Sequence, residues 1–116
     1  MNHLRRKYPQ PRVIYVDVDG TLHKYGAPNM LAIKWCKEKK DRGFTLILWS
    51  MRGEAYARMF ANSLGIEDLF SHICSKPGYV LDDKGLSWVK FVTVISHLRT
   101  PVIGHSEALF VQDWSI

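Results

Sequence analysis

Residues 13–22 read Val-Ile-Tyr-Val-Asp-Val-Asp-Gly-Thr-Leu. The apolar and β-branched run at 13–16 has the character of a buried strand. It ends on two carboxylates one residue apart, Asp17 and Asp19, followed at once by Gly20. Carboxylates at i and i+2 can face the same side at the end of a strand. Taking such charge out of water is costly unless it is paired or bound to a cation. A positive group is therefore expected beside them, and the rest of the chain must supply or bind it.

Working outward, the chain alternates strand and helix signals. Residues 1–11 are basic and proline-bearing and read as a flexible lead-in to a first strand at 12–18. Gly20, Gly26 and Pro28 mark a loop over 20–28 with a small turn. A helix is predicted from about 29 to 42, with Asn29 as N-cap, Gly43 as stop, and Leu31, Trp35 and Cys36 on its apolar face. FTLILWS at 44–50 is a second strand, and a second helix follows Gly53 over 54–64. A short strand is expected near 72–75, another at 79–82, and a third helix at 87–98. Such alternation predicts an α/β fold: three Rossmann-like layers, a mainly parallel sheet with helices on both faces.

The chain has 116 residues, which suits one domain spanning 1–116. It carries 16 Lys and Arg against 11 Asp and Glu, a net charge of +5 that favours acidic partners such as phosphates. Much of the excess lies in Arg5, Arg6 and Lys7 and in Lys34, Lys37, Lys39 and Lys40, runs that equally describe a solvated tail and a solvated helix face. Cys36 and Cys74 match no zinc spacing and read as free thiols of a reducing cytoplasm. No apolar run approaches a membrane span, and the basic start lacks the apolar core of a signal peptide.

In open parallel sheets, ligands bind beyond the carboxyl ends of the strands. The first strand brings Asp17 and Asp19 to that rim, and the second brings Ser50 with Arg52 just after it. The turn before the expected fourth strand carries Lys76, and that strand ends on Asp82 and Asp83. Oxygen donors in this number suit Mg²⁺, which takes few carboxylates with waters and substrate phosphate. A positioned nucleophile with nearby positive charge suits phosphoryl transfer.

Asp17-Val18-Asp19-Gly20-Thr21-Leu22 resembles the first motif of the haloacid dehalogenase superfamily of phosphatases, Asp-x-Asp-Gly-Thr-Leu/Val. Ser50, Lys76 and Asp82-Asp83 follow in that family's order, so the resemblance spans residues 12–83. It implies an Mg²⁺-dependent phosphomonoester hydrolase with Asp17 as nucleophile, forming an aspartyl-phosphate. Asp19 is then the acid that protonates the leaving oxygen and the base that activates water, with a pKa raised by a neighbouring anion and partial burial. The metal ligands implied are Asp17, the backbone carbonyl of Asp19, and one or both of Asp82 and Asp83. Ser50 and nearby backbone N–H groups are the implied phosphate contacts, and Lys76 neutralises Asp17 and the moving group. Gly20 is a further candidate phosphate contact, and Arg52, which has no firm role in the family, reads either as a substrate-phosphate contact or as a solvated side chain.

The same residues admit other readings. A calcium loop opening at Asp17 needs Gly at position six and Glu at twelve, where Gly20 is fourth and Pro28 twelfth. An ATPase reading of Asp82-Asp83 lacks any GxxxxGK[ST]. Ser50 as a helix cap, Lys76 as a loop lysine and Asp82-Asp83-Lys84-Gly85 as a plain turn stay open. His23, His72, His97 and His105 show no ligand spacing, and the tryptophans read as core, with Trp49 and Trp88 nearest the site in sequence. The loops have no room for the larger caps of the family, so the resemblance implies a capless member with an open site. Such a site suits bulky substrates, among them nucleotides and nucleic-acid ends. A fifth strand is expected at Ala108–Val111, or else an exposed sheet edge and a homodimer. A non-catalytic module binding phosphate or nucleic acid, and a phosphotransferase, are the alternatives to a hydrolase.

Overall fold

The computed structural model describes residues 8–95. The basic run Arg5–Lys7, His97, His105 and the expected strand at 108–111 lie outside them. The described residues divide into two compact units, one of residues 10–79 and one that holds residues 8–9 and 80–95.

The first unit is a small α/β structure. Strand β1 (Val13–Asp17) leads through a two-residue-per-strand hairpin, β2 (His23–Lys24) and β3 (Ala27–Pro28), to helix α1 (Met30–Asp41). Strand β4 (Thr45–Ser50), helix α2 (Glu54–Ser63), a 3₁₀ turn (Glu67–Leu69) and strand β5 (His72–Ser75) follow. The three long strands form one parallel sheet in the order β1-β4-β5. Asp17 stands opposite Trp49, and Trp49 opposite Cys74, so the carboxyl ends of all three strands share one edge.

Period-two alternation sorts the strand residues. Val16, Leu46, Leu48 and Ile73 join a single core cluster with Ala32, Ile33 and Cys36 of α1 and Ala57, Phe60 and Ala61 of α2. Both helices therefore cover the same face. That follows from right-handed crossovers advancing in one direction, β1 to β4 to β5. The opposite face carries Tyr15, Ile47 and Trp49, with Tyr15 and Trp49 rings 4.5 Å apart. A second helical layer, expected from the alternation, is not among the described helices of this unit.

Helix α1 begins and ends where the sequence predicts. Asn29 takes the N-cap, Gly43 follows the last turn with φ +91°, and Lys39 and Lys40 complement the dipole at the C-terminal end. Its buried stripe is Ala32, Ile33, Cys36 and Lys39, not the expected stripe through Leu31, whose side chain is 65% exposed. Leu31 falls one residue, about 100° of arc, off that stripe. Lys39 buries its stem against Trp35 and Phe44, with the ammonium 5.4 and 5.9 Å from their ring centres. Both cysteines are free, and burial pushes the Cys36 thiol up to about 12, which leaves it inert.

Two sequence expectations fail beyond β5. No strand forms at 79–82: Tyr79 and Leu81 are fully exposed and pair with no ladder among the described residues. Strand propensity is realised through packing, and here Tyr79, Val80 and Leu81 are all exposed. The α-helix expected at 87–98 appears over its described part as a 3₁₀ turn, Ser87–Phe91, followed by extended chain at Val92. The β-branched run Val92-Thr93-Val94-Ile95 disfavours helix continuation. No helix among the described residues is long and apolar enough to cross a membrane.

Asn29 links the helix to the loop after β1. Its Oδ1 accepts the Ala32 N–H at 3.4 Å, its Nδ2 donates to the Thr21 carbonyl at 3.0 Å, and its N–H donates to the Leu22 carbonyl at 2.7 Å. Asn29→Ala is expected to cost about 1–2 kcal/mol in urea unfolding. Asn29→Asp should recover only part, since it keeps the cap acceptor and loses the donor to Thr21. Full recovery by Asp would mean that the Thr21 bond contributes nothing.

Candidate active site

The rim is built from three strand ends. After β1 the chain turns tightly: Thr21, Leu22 and His23 all direct their N–H groups to the Val18 carbonyl, at 3.1, 2.9 and 3.0 Å. Gly20 sits in this turn at φ +83°, a conformation an L side chain rarely adopts, although a Cβ there would meet no atom within 4 Å. Its N–H, expected to face phosphate, donates to the His23 carbonyl at 2.8 Å. The turn holds Asp17 and Asp19 at the edge, and the hairpin hangs from it.

Strand β4 ends on Ser50, only 2% exposed. The Ser50 Oγ accepts the Arg52 N–H at 3.0 Å, and the Ser50 carbonyl accepts from both Gly53 and Lys76, at 3.1 and 3.0 Å. Ser50 thus shapes the loop before α2 rather than capping it; the N-cap of α2 is Gly53, φ +100°, with no side-chain cap hydrogen bond. The same residue ties β4 to the chain leaving β5, and so fixes where Lys76 starts.

Lys76 then reaches across to Asp17, with Nζ 3.3 Å from Oδ1, both side chains about one-third exposed. Its ammonium also lies 5.6 Å from the Trp49 ring centre. The positive group demanded by the first carboxylate is therefore supplied by the chain. The second carboxylate has its own partners. Tyr56 Oη donates to Asp19 Oδ1 at 2.6 Å, and Arg52 Nη1 lies 3.4 Å from Oδ2. Arg52 also stacks on Tyr56, its guanidinium carbon 3.9 Å from the ring centre.

These contacts reverse one expectation. The Asp19 carboxyl is held below its ordinary range, first by the Tyr56 hydrogen bond and, against slight desolvation, by Arg52. The expected rise assumed burial beside an anion, whereas Asp19 is open to solvent and flanked by two donors. Tyr56 is raised in turn, chiefly by its bond to Asp19.

Asp17, Asp19, Ser50, Arg52 and Lys76 are thus brought together, with Gly20 in the loop between. Asp82 and Asp83 belong to the other compact unit. There Asp82 Oδ1 accepts the Lys84 N–H at 2.8 Å and its carbonyl accepts from Gly85 at 3.2 Å, which makes a turn and not a strand end. Among the described residues no three His, Cys, Asp or Glu side chains form a metal cluster. The donors at the rim still suit Mg²⁺, since two oxygen-only carboxylates with no His or Cys match a hard cation that draws its other ligands from water and phosphate. Tyr56 was missed in the sequence reading. The signal was an aromatic residue in the first turn of the helix that leaves the rim, four positions after Arg52.

No protein-family model, curated protein or solved structure matches the chain.

The Asp19–Tyr56 bond has a pH window. A lowered Asp19 pKa contributes stability above the ordinary value of 3.8 that is lost as pH falls through the folded value. A raised Tyr56 pKa contributes below 10.0 and is lost as pH rises through the folded value. In metal-free protein, Tyr56→Phe is expected to move the Asp19 carboxyl ¹³C titration upward. The stability gap to the parent should be widest near neutrality and close towards both extremes. An unmoved Asp19 titration would mean that Tyr56 does not hold the carboxylate.

Proposed function

We propose that the chain is a phosphomonoester hydrolase acting through an aspartyl-phosphate on Asp17, with a haloacid-dehalogenase-like core. The observation that carries this reading is the paired rim: two carboxylates with one residue between them, each with its own cation, at the carboxyl edge of a parallel sheet. Asp17 is the better nucleophile because Lys76 approaches one of its oxygens and can follow the charge onto an incoming phosphoryl group. In the first step Asp17 attacks phosphorus, the bond to the leaving oxygen breaks, and Asp19 provides the proton that this oxygen takes. In the second step water attacks the phosphorus, Asp19 takes a proton from that water, and free Asp17 and inorganic phosphate result. The ionised Asp19 of the resting arrangement is the form used in this second step. For the first step, the phosphomonoester enters as its monoanion and hands its proton to Asp19, which passes it on to the leaving oxygen as the P–O bond breaks. Asp17 and the Asp19 carbonyl would hold Mg²⁺, which when bound would add positive charge beside the transferring oxygens.

A hydrolase is favoured over a passive phosphate-binding module by Asp19. A binder of anions gains nothing from a second carboxylate at its rim, since like charge repels the ligand. A phosphotransferase would use the same residues and differ in the acceptor. The substrate class proposed is a nucleotide or a nucleic-acid terminal phosphate.

The reading is tested with an aryl phosphate and a panel of phosphorylated nucleotides and oligonucleotides. Phosphate release with Mg²⁺, stopped by EDTA, is expected. Asp17→Asn should reduce kcat by at least about 10³-fold with an unchanged circular dichroism spectrum. Activity surviving that substitution would overturn the assignment of the nucleophile.

A further inference from the structure

Arg52 and Tyr56 form a built unit that the proposed chemistry does not fully use. Lys76 already serves the nucleophile. Arg52 pairs instead with Asp19, 3.4 Å from its carboxylate. If Asp17 attacks in line, the leaving oxygen departs away from Asp17 and towards Asp19. A cation touching Asp19 therefore neighbours the leaving group rather than the attacking side.

The pair is also arranged to receive something. Tyr56 backs one face of the guanidinium at 3.9 Å and is itself anchored to Asp19 at 2.6 Å. The Arg52 backbone is fixed by Ser50 Oγ at 3.0 Å. The guanidinium carries five donors in a planar fork, and only one is directed at Asp19. The side chain is 63% exposed, so the remaining edge meets solvent. Stacking on an aromatic ring holds the fork in place and lowers the entropy lost when it grips an anion.

We propose that Arg52, positioned by Tyr56, is a leaving-group subsite that selects phosphomonoesters whose leaving group carries a second anion. Resting on the hydrolase reading above, this narrows its substrate class. A nucleotide or nucleic-acid end whose next phosphate lies near the scissile one fits; a phosphate ester of a neutral alcohol does not. Tyr56 acts as a positioning residue through the stack, so the ring matters for this subsite and the hydroxyl does not.

The experiment compares phosphoglycolate with ethyl phosphate, esters of similar size that differ by one carboxylate on the leaving group. Dissociation constants are measured by calorimetry on the Asp17→Asn protein, where no turnover interferes, and kcat and KM on the parent. Phosphoglycolate is expected to bind about 10- to 100-fold more tightly, the range of a charge-assisted hydrogen-bonded pair. In the parent the preference should appear in KM more than in kcat. Adding Arg52→Gln should bring the two affinities within about twofold of each other. Tyr56→Phe, which keeps the ring, should preserve the preference, and Tyr56→Leu should weaken it. Equal binding of the two esters, or a preference that survives Arg52→Gln, would overturn the subsite and leave the hydrolase reading standing. A preference that depends on Arg52, with no phosphate released from any substrate, would remove the hydrolase reading and leave an anion subsite.

Discussion

The parallel ladder through β4 is the constraint on which the rest depends. Each β4 residue from Ile47 to Trp49 pairs on both sides, and Ser50, at its end, pairs with Ser75. Parallel pairing puts three carboxyl ends on one edge, and the handedness of the crossovers puts both helices on one face. The Ser50 carbonyl carries the ladder one step further by accepting the Lys76 N–H. Moving the β1 register by one residue would turn Asp17 to the other face of the sheet. Lys76 would then have no carboxylate to meet.

Within that frame, charge is divided between two local pairs. Asp17 takes an ammonium from the far strand, and Asp19 takes a guanidinium and a phenol from the helix side. These contacts are one-third to two-thirds exposed, so each adds little to stability, as surface ion pairs generally do. Their value is positional. Two carboxylates in such proximity would otherwise repel, and each cation holds its carboxylate in a defined place. The strongest restraint on Asp19 is a neutral donor, Tyr56, which no count of charges would reveal.

Much of this was legible in the sequence because the signals were local. Strand β1, the Asn29 cap, β4, the start of α2 just after Gly53 and β5 all fall where period and punctuation place them. Asp17, Asp19, Ser50 and Arg52 follow from strand ends, whereas Lys76 was placed in the turn before an expected strand at 79–82 and in fact leaves the end of β5. What was misread depended on tertiary partners. The segment 79–82 has strand composition but finds no ladder, and the β-branched residues after Phe91 resist helix. Leu31 and Ala32 exchange roles because a helix face is set by what it packs against. The shift of Asp19 could not be foreseen, since its sign is decided by a tyrosine 37 positions away in the chain.

The central claim is that Asp17 is a covalent nucleophile. The most direct measurement is borohydride reduction of enzyme caught during turnover, followed by peptide mass spectrometry. An acyl phosphate is reduced to an alcohol, so the account predicts homoserine in place of aspartate at Asp17 and nowhere else. Phosphate release with Asp17 unmodified, or reduction at Asp19 instead, would contradict it.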